Sequence, residues 1–564
     1  MQLLPPVSPF LELIERADRN PKKIILRDHS SGVSATSGQL LHSISSFRAK
    51  VHKNLLRNPL YDATNMKDDK FIFLLAPPGF EYVVSMLTIF SLGAAISAQS
   101  IAILPEEMIR LFKLGKPVAL LYSSAFADKI EAIKGLLAET DSGVNHDLPF
   151  VQIETSFPEG LESQVYKTEP IFGEYPTHTG SLFFTSGTSG NQKGVVHSFQ
   201  ALLASARERI GTWQLKEEDV VLNQKPGNWM GGIFGILPTL ISGACLDTCA
   251  GVFDPKFFWE RVKEGDVRIF DIAATGYDRL AQYFDENIAI LPSAEKERYV
   301  QGVTAVRVAG VSGSILTPHT QKKWTELRSG KPLINLYGCT EMTLIACMRW
   351  ENPVYDDMCS VGQPVPGMQV KIVDGDIRLK APTMFSRYIS HDLSVTAKVF
   401  DEEGFFKTGD CGSMVGDCLV LHGRANIDVL HFWGFTVVTS EVETAILSLP
   451  YISDVTVLPL EDEEYDERVA AIIKTKPSAS PGGMKPNLEA LRKDLSAKNG
   501  LMLFKQPTVA YWLGDNEEIS LTANGKVSKR DAKKKFFGEG WKSTQKVEIL
   551  DLKTVEYWRM GGQC

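Results

Sequence analysis

The chain has 564 residues, of which 44% are hydrophobic and 23% charged, and its formal net charge at pH 7 is −8. This length predicts two to four domains, and the acidic balance argues against a nucleic-acid partner, because nucleic-acid binders usually carry a basic surplus. The cysteines are irregularly spaced and form no C-x-x-C pair, which argues against structural zinc and favours a reducing compartment. The longest apolar stretches are too short and too interrupted to span a bilayer, and the N-terminal stretch lacks the pattern of a targeting peptide. We therefore expect a cytoplasmic protein that is not an integral membrane protein.

Short apolar runs alternate with helical patterns between about residues 70 and 350. Strands are predicted at 71–76, 118–123, 181–186 and 220–224, and helices at 82–97, 201–213 and 257–265. Alternation of apolar strands with helices is typical of mostly parallel sheets that are covered on both faces. This part of the chain is therefore predicted to form a large α/β domain.

The pattern changes after about residue 355. Residues 368–380 and 413–424 alternate apolar and polar side chains around tight turns, which indicates antiparallel hairpins. Farther on, residues 450–475 read as two strands around an acidic loop, and residues 487–498 as an amphipathic helix. The predicted fold is a large α/β N-terminal domain of layered, mostly parallel sheets plus an antiparallel β module, with a smaller, mobile α+β C-terminal domain. The predicted bounds are 1–424, 425–540 and a tail at 541–564.

The stretch LFFTSGTSGNQKG, residues 182–194, has the composition of a phosphate-binding loop. Its glycines permit close backbone approach, its hydroxyls can donate hydrogen bonds, and Lys193 supplies a point charge. The spacing is not that of the common G-x-x-x-x-G-K-[ST] loop, because Lys193 stands three residues past Gly190. Taken alone, the stretch is also compatible with a Ser/Gly surface turn.

The same stretch resembles the phosphate loop of the adenylate-forming enzymes, a family that includes acyl-CoA synthetases, luciferases and peptide-synthetase adenylation domains. The family pattern is [FY]-T-S-G-[ST]-[ST]-G-x-P-K-G, and Gln192 stands here in place of the proline. The matching positions are Phe184, Thr185, Ser186, Gly187, Thr188, Ser189, Gly190, Lys193 and Gly194. The resemblance implies that this loop holds the β- and γ-phosphates of ATP.

A second motif, LYGCTEM at 336–342, resembles the family's Y-G-x-T-E. The resemblance implies that Tyr337 and Gly338 lie at the adenine, that Thr340 contacts the α-phosphate, and that Glu341 binds Mg²⁺. A carboxylate beside a hydroxyl suits Mg²⁺ bridged to phosphate oxygens, because this cation prefers oxygen ligands. VAGVSGSIL at 308–316 resembles the loop beside the adenine, which adds Ser314 to the nucleotide site.

Three further matches follow in order along the chain. FFKTGD (405–410) and HGRANID (422–428) resemble the ribose-binding pair, so Asp410 and Arg424 are implied to hold the ribose hydroxyls. Ionised partners make the stronger hydrogen bonds, which suits fixing a sugar. LTANGKVSKR (521–530) resembles the C-terminal N-x-x-G-K-x-x-[KR], which makes Lys526 the lysine that enters the site for adenylation. Without the other motifs, Lys526 would read as a solvated lysine in a basic run.

Five motifs in family order, with the ribose-binding pair counted as one, extend over about residues 180–530 and imply an AMP-forming acid–thiol ligase. The implied substrates and cofactors are a carboxylic acid, ATP, Mg²⁺ and CoA, and the implied catalytic residues are Thr188, Lys193, Glu341 and Lys526. Residues 404–443 look closest to the acyl-CoA synthetase branch, and the spacing from Arg424 to Gly434 is similar to that of the malonyl-CoA synthetase-like group. Two alternatives are open. One is a stand-alone adenylation protein that loads a carrier-protein arm or an amine, and the other is a catalytically impaired nucleotide-binding or scaffold protein.

Several positions depart from the family pattern in the acyl pocket. Asn228 stands at the usual histidine place in QKPGNWMGG (224–232), where Trp229 and Gly231 would also line the pocket. Trp229 is equally compatible with a core position. Arg279 and Arg307 lie in segments that flank the pocket in the family, and a guanidinium there would favour a dicarboxylate. Surface or structural arginines are the alternative.

The segment that borders the thiol channel in the family departs as well. Many synthetases have lysine at the place of His431 and glycine at that of Trp433, beside Gly434. A tryptophan adds bulk beside the channel and does not adopt positive φ as glycine does. We therefore hypothesise either an unusual thiol acceptor or slow transfer to CoA.

Overall fold

The structure is a computed structural model. It describes residues 2–56, 69–139, 145–157, 166–168, 178–185, 193–249, 253–313, 316–353, 360–392, 394–424, 428–432, 435–462, 466–476, 486–499, 501–514, 516–521 and 527–552.

The strands of the described residues fall into five sheets. They are β1 (Gln2–Leu4), β2 (Ile24–Asp28), β3 (Val33–Thr36), β4 (Phe71–Leu75), β5 (Ala95–Ala98), β6 (Ala119–Tyr122), β7 (Phe150–Gln152), β8 (Tyr166–Thr168), β9 (Thr179–Thr185), β10 (Lys193–Ser198), β11 (Val220–Asn223), β12 (Cys245–Thr248), β13 (Val267–Ile272), β14 (Val308–Val311), β15 (Ile334–Cys339), β16 (Thr343–Cys347), β17 (Gln363–Pro364), β18 (Gln369–Val373), β19 (Asp376–Lys380), β20 (Arg387–Ile389), β21 (Phe406–Val415), β22 (Cys418–Arg424), β23 (Val429–Phe432), β24 (Phe435–Val438), β25 (Ile452–Asp462), β26 (Asp466–Thr475), β27 (Val509–Trp512) and β28 (Val547–Ile549).

Most helices connect strands of the two largest sheets. They are α1 (Phe10–Arg19), α2 (Ser37–Leu55), α3 (Phe80–Ser91), α4 (Pro105–Gly115), α5 (Ala127–Glu139), α6 (Phe199–Trp213), α7 (Met230–Ser242), α8 (Pro255–Val262), α9 (Ala274–Tyr283), α10 (Ser293–Ala305), α11 (Pro318–Leu327), α12 (Val395–Lys398), α13 (Thr439–Leu447), α14 (Leu488–Asn499) and α15 (Lys529–Phe536). A single π-helical turn, Phe284–Ile288, follows α9. None of the described helices is long and apolar enough to cross a membrane.

The two largest sheets are mostly parallel, as the alternation of strands and helices predicted. One has the order β20-β10-β9-β5-β4-β6-β7, and the other has the order β17-β16-β15-β14-β13-β11-β12-β2-β3. Antiparallel strands stand only at their edges, where β10 and β20 extend the first sheet and β16, β17 and β3 flank the second. The predicted fold class of the N-terminal part is therefore confirmed.

Helices cover both faces of each large sheet, which gives five layers. The largest apolar cluster joins strands of both sheets through α1, α2, α3, α6 and α7, which form the middle layer. The outer face of the seven-stranded sheet packs on α4 and α5, and the outer face of the nine-stranded sheet packs on α8 to α11. The full burial of both sheets explains why their strands are nearly continuous apolar runs.

The two later sheets are largely antiparallel. Strands β18-β19-β21-β22 form the predicted antiparallel module, and β23 to β28 form a C-terminal sheet whose apolar clusters come from residues after 429. The proposed division after residue 424 falls at 425–427, which lie outside the described residues. Strand β28 pairs with β27, so part of the segment assigned to the tail belongs to the C-terminal sheet.

One predicted helix is too long. The pattern at 82–97 predicted a single helix, but α3 ends at Ser91 and residues Ala95–Ala98 form β5 beside β4. Gly93 adopts a φ of 65°, a conformation that glycine adopts readily and that ends the helix. The run of small apolar residues fits either element by periodicity alone, and pairing with neighbouring strands decides for the sheet.

Candidate functional site

One of the predicted nucleotide motifs, Y-G-C-T-E, lies where parallel strands of the nine-stranded sheet end. Strands β11, β13, β14 and β15 are neighbours in this sheet and run in the same direction. Ligands of open α/β sheets bind outside the carboxyl ends of the strands. The Y-G-C-T-E motif occupies the end of β15 and the residues after it, so it lies at that edge.

The two ends of the predicted phosphate loop are held together in the seven-stranded sheet. Thr185 ends β9 and Lys193 begins β10, and the two residues face each other across the antiparallel ladder. The two ends of the loop are therefore held next to each other by strand pairing. The remaining predicted phosphate ligands, Ser186, Gly187, Thr188 and Gly190, lie outside the described residues and stay predictions, as does Ser314.

Glu341 and Lys193 contact the same tyrosine. The hydroxyl of Tyr388 donates a hydrogen bond to Glu341 Oε1 over 2.7 Å, and Lys193 Nζ lies 5.4 Å from the centroid of the Tyr388 ring. Tyr388 belongs to β20, which pairs with β10, so the strand that carries Lys193 also positions the tyrosine. Burial, and then the charge of Glu341, raise the pKa of Tyr388, so its hydroxyl remains a donor.

A buried histidine holds the backbone of the Y-G-C-T-E loop through a hydrogen bond. His197 of β10 is fully buried, and its Nε2 lies 2.7 Å from the carbonyl oxygen of Thr340. Burial lowers the pKa of His197 to about 4, so the neutral imidazole donates to that carbonyl. At Gly338, a Cβ atom would lie 2.3 Å from the carbonyl oxygen of Thr343. Only glycine fits there, because the two backbones approach so closely.

Tyr337, Asp410 and Arg424, the predicted adenine and ribose residues, form one connected group. The Tyr337 hydroxyl donates to Asp410 Oδ2 over 2.6 Å, and Arg424 Nε donates to Asp410 Oδ1 over 3.1 Å. Asp410 and Arg424 face each other across β21 and β22. Burial raises the pKa of Asp410, whereas Arg424 and Tyr337 lower it. The structure thus brings together three side chains that are 73 and 14 positions apart.

Asp428, four positions after Arg424, connects this group to the C-terminal part of the chain. Asp428 Oδ2 accepts from the backbone N–H of Arg424 over 3.1 Å, and Asp428 Oδ1 lies 2.7 Å from Lys529 Nζ. Lys529 also lies 3.0 Å from Glu443 Oε1, and these carboxylates raise its pKa although burial lowers it. Lys526 lies outside the described residues. Its segment is bounded on both sides by a backbone bridge between Leu521 and Val527.

The predicted acyl-pocket segment precedes and opens α7. Asn228 and Trp229 are half-buried, and Trp229 is the N-cap residue of this helix. A Cβ atom built on Gly231 would lie 3.1 Å from Lys225 Cδ. The pocket roles of these residues stay predictions.

The two arginines predicted to flank the pocket have other partners. Arg307 forms a two-pronged ion pair with Asp219, at 2.6 and 2.8 Å, and also donates to the backbone carbonyls of Trp213 and Gln214. Arg279 lies with its guanidinium 5.3 Å from the ring of Phe253. Neither contact involves the nucleotide residues. For Arg307 the geometry favours the structural alternative.

The predicted thiol-channel residues are described only in part. The backbone of His431 pairs with that of Thr436 in the hairpin of β23 and β24. Trp433 and Gly434 lie outside the described residues. Their roles stay predictions.

Mg²⁺ is consistent with the oxygen donors present. Within the described ranges, no three His, Cys, Asp or Glu side chains form a metal cluster. Glu341 supplies a carboxylate whose Oε1 is oriented by Tyr388. Because Mg²⁺ usually binds through one or two carboxylates plus substrate phosphates and water, a single carboxylate fits its needs.

Comparison with known proteins agrees with this geometry. Residues 16–383 match the AMP-binding enzyme family. The chain belongs to this family. It is 27% identical to acyl-CoA ligase oryP of Aspergillus oryzae, over 98% of this chain and 97% of that protein. It is also 27% identical to a malonate–CoA ligase of Arabidopsis thaliana, over 82% of this chain and 77% of that protein.

Solved structures show the same fold. The ATP-bound MatB structure from Rhodopseudomonas palustris aligns with a TM-score of 0.75 and 18% identity, over 94% of this chain and 99% of that one. An anthranilate–CoA ligase in complex with anthranoyl-AMP aligns with a TM-score of 0.73 and 21% identity. These structures confirm the fold, and the family match with the two relatives confirms the predictions of the adenylate-forming superfamily, of its acyl-CoA ligase branch and of an AMP-forming ligase.

Two residues of the site were missed in the sequence. Tyr388 is separated by 47 positions from Glu341, and His197 by 143 positions from Thr340. Neither belongs to one of the five motifs, and nothing in the local sequence indicates which distant group each contacts. The pairing of β20 with β10 is the signal that would have found Tyr388.

Proposed function

We propose that this protein is an ATP-dependent carboxylic acid–CoA ligase. In the first step a carboxylate oxygen of the acid bonds to the α-phosphorus of ATP, the bond to the β-phosphate bridge breaks, and pyrophosphate leaves. In the second step the sulfur of CoA bonds to the acyl carbon, AMP leaves, and the thiol proton is released. The observation that carries the proposal is a pair of side-chain groups, Tyr337–Asp410–Arg424 and Glu341–Tyr388–Lys193, which the Y-G-C-T-E motif joins because it supplies both Tyr337 and Glu341.

The first group holds the nucleoside. Asp410 would accept hydrogen bonds from the ribose hydroxyls, with its carboxylate fixed by Arg424 and Tyr337 on separate oxygens. A carboxylate that is already oriented makes strong hydrogen bonds at little ordering cost. The ring of Tyr337, which is buried to 94% in this structure, would lie against the adenine.

The second group binds the phosphates. Thr340 would contact the α-phosphate, and its loop is held in place by His197. Glu341 would hold Mg²⁺, which neutralises charge on the phosphate oxygens when bound. Lys193 and the hydroxyls of the 186–192 loop would hold the β- and γ-phosphates. Lys526 would bring an ammonium to the reacting centre, because the first step needs placement and charge neutralisation more than covalent help.

CoA is our proposal for the thiol acceptor of the second step. Both relatives named above are CoA ligases, and the alignment with each covers most of this chain. Trp433 beside the expected channel is the feature that favours an alternative acceptor, such as a carrier-protein arm.

The decisive experiment is acid-dependent exchange of pyrophosphate into ATP, followed by product analysis with and without CoA. We expect exchange with at least one acid, and acyl-CoA only when CoA is present. Asp410→Asn should raise the KM for ATP, whereas Asp417→Asn, at the exposed turn of the same hairpin, serves as the matched control. Absence of pyrophosphate exchange with every acid would contradict the proposal. Exchange without formation of acyl-CoA would show that the acceptor is not CoA and would favour a carrier-protein arm or an amine.

A further inference from the structure

The hairpin that carries Glu341 contains a strained residue. A tight turn joins β15 to β16, and in it the backbone N–H of Met342 donates to the carbonyl of Cys339 over 3.4 Å. Thr343, the first residue of β16, adopts a φ of 65°. Five non-glycine residues of the described ranges have a positive φ, and Thr343 is the only β-branched one among them. A β-branched residue is unfavourable in this left-handed conformation, so its surroundings have to maintain it.

A buried serine contributes to that support. Ser205 of α6 donates from its Oγ to Thr343 Oγ1 over 2.7 Å. The two residues are 1% and 5% exposed, so both hydroxyls are withdrawn from water. Removal of one hydroxyl leaves the other without compensation for its lost hydration. The middle helix layer, to which α6 belongs, therefore stabilises the conformation of Thr343 through this contact.

The backbone around Glu341 is held by other segments as well. The carbonyl of Glu341 accepts from the backbone N–H of Phe385 over 2.7 Å, and the carbonyl of Met342 accepts from Thr383 Oγ1 over 3.1 Å. The carbonyl that precedes Glu341 accepts from His197, as described above. The peptide groups next to Glu341 are thus fixed, while its side chain extends to the hydroxyl of Tyr388.

Thr343 determines how the turn closes. Short hairpin loops often end on a residue with positive φ, and glycine is the usual residue there because it has no Cβ. The carbonyl oxygen of Thr343 lies so close to Gly338 that a Cβ atom on Gly338 would be 2.3 Å from it. A change of Thr343 to negative φ would redirect this carbonyl and open the turn. Glu341, two residues earlier, would then shift relative to Tyr388 and Lys193.

We propose that Ser205 and Thr343 are positioning residues for the binding of Mg²⁺ by Glu341. Ser205 stabilises the left-handed conformation of Thr343, and this conformation orients the turn that carries the carboxylate. The inference rests on the proposed ligase function, in which Glu341 binds the metal. Backbone strain of this kind persists where the surrounding structure over-determines it, and such strain is common at functional sites.

The test measures the Mg²⁺ requirement in two ways. One is calorimetric binding of ATP at a series of Mg²⁺ concentrations without acid, and the other is the rate of pyrophosphate exchange. We expect Ser205→Ala to raise the half-saturating Mg²⁺ concentration by about 3- to 10-fold in both, because one buried neutral hydrogen bond is lost. Ser91→Ala is the matched control. It removes an equally buried hydroxyl, hydrogen-bonded over 2.7 Å in α3, and should leave the Mg²⁺ requirement unchanged.

Substitutions of Thr343 test the same contact from its other side. Thr343→Val keeps the shape of the side chain but loses the hydroxyl, so it should raise the Mg²⁺ requirement as Ser205→Ala does. Thr343→Ser retains the hydroxyl and should stay close to the wild type. The double variant of Ser205→Ala and Thr343→Val should be no worse than either single variant, because the two changes remove one shared hydrogen bond.

A glycine variant distinguishes backbone strain from packing. Thr343→Gly adopts positive φ without support, so adding Ser205→Ala to Thr343→Gly should not raise the Mg²⁺ requirement further. Hydrogen–deuterium exchange of residues 338–348 should be faster in Ser205→Ala than in the wild type, whereas the two proteins that carry Thr343→Gly should exchange alike.

Three outcomes would overturn the inference and leave the ligase function intact. They are a wild-type Mg²⁺ requirement in folded Ser205→Ala, an effect of Ser205→Ala that is equally large in the Thr343→Gly background, and unchanged hydrogen–deuterium exchange of the turn. Pyrophosphate exchange with no acid would contradict the proposed function alone, because Mg²⁺-dependent binding of ATP still reports on the contact between Ser205 and Thr343.

Discussion

Tyr388 donates its hydroxyl hydrogen to Glu341 Oε1 over 2.7 Å, and the same ring lies 5.4 Å from Nζ of Lys193. One side chain thus contacts both the proposed Mg²⁺ residue and the proposed phosphate lysine. The hydrogen bond fixes the carboxylate, and the ring face attracts the ammonium. The spacing of the two charges is therefore set by a residue that does not belong to any of the five motifs.

Removal of this hydroxyl should raise the Mg²⁺ concentration that the first step requires. We expect Tyr388→Phe to lower pyrophosphate exchange by about 10- to 100-fold at limiting Mg²⁺, because a hydrogen bond to a charged group is lost. High Mg²⁺ should restore part of the rate. Tyr283→Phe, at the end of α9, is the matched control. An unchanged Mg²⁺ titration in Tyr388→Phe would exclude a positioning role for Tyr388. A separate variant tests the metal residue itself: if Glu341→Gln keeps the wild-type rate and Mg²⁺ dependence, Glu341 does not bind the metal.

Lys526 should be needed for adenylation but not for folding. We expect Lys526→Ala to reduce carboxylate-dependent pyrophosphate exchange by at least about 100-fold, since an ammonium at the reacting centre offsets developing charge. Its thermal midpoint should match that of the wild type. Lys534→Ala removes an exposed lysine from the following helix and serves as the control. Near-normal exchange in Lys526→Ala would rule out this assignment.

Acid should destabilise the protein through His197. Its pKa is about 4 in the folded protein and 6.5 ordinarily, so the unfolded chain binds the proton more tightly. The stabilising contribution is complete above 6.5 and is lost as the pH falls towards 4, by roughly 3 kcal/mol in total. We expect the melting midpoint of His197→Gln to fall less across this window than that of the wild type. His146→Gln, an exposed histidine, should behave as the wild type. Parallel pH profiles for all three proteins would contradict the prediction.

Loss of the Lys529 ammonium should destabilise the C-terminal sheet and its helices. Lys529→Met leaves Asp428 and Glu443 without their shared cation, which we expect to cost about 3–5 kcal/mol. Adding Glu443→Gln to Lys529→Met should recover part of this loss, because one buried charge is removed. Limited proteolysis and urea unfolding provide the measurement, with Lys534→Met as the control. A double variant no more stable than Lys529→Met would show that the ion pairs are not the cause.

The thiol-transfer step should respond to the bulk at position 433. We expect Trp433→Gly to raise acyl-CoA formation relative to pyrophosphate exchange by several-fold, because a smaller residue opens the expected path of the thiol arm. Trp350→Gly, in a loop of the N-terminal region, controls for the loss of a tryptophan. Fast acyl-CoA formation by the wild type, unchanged in Trp433→Gly, would dismiss the hypothesis of a restricted channel.

The sequence predicted those parts of the site that consist of contiguous motifs. Tyr337, Asp410 and Arg424 were each named from a short pattern, and the structure connects them through hydrogen bonds. Tyr388 and His197 could not be predicted, since their roles arise from strand pairing between distant segments.

The layered α/β fold could be predicted from the sequence because buried parallel strands are encoded by nearly continuous apolar runs. Residues 95–98 show the limit of that signal. Their small apolar side chains fit a helix and a strand equally, and hydrogen bonds to β4 and β9 decide the matter. Arg307 shows a similar limit, because its ion pair with Asp219 spans 88 positions.

The contacts of Asp428 also bear on how the C-terminal part can turn. Its two carboxylate oxygens bind different neighbours, the backbone of Arg424 on one side and Lys529 on the other. Any rotation about residues 425–427 has to sever at least one of these contacts before a new set can form. A connection of this kind favours two distinct conformations separated by a barrier, and it disfavours continuous motion of the C-terminal part. Arg424, the predicted ribose residue, and the helix that begins three residues after Lys526 would then change partners in a single event.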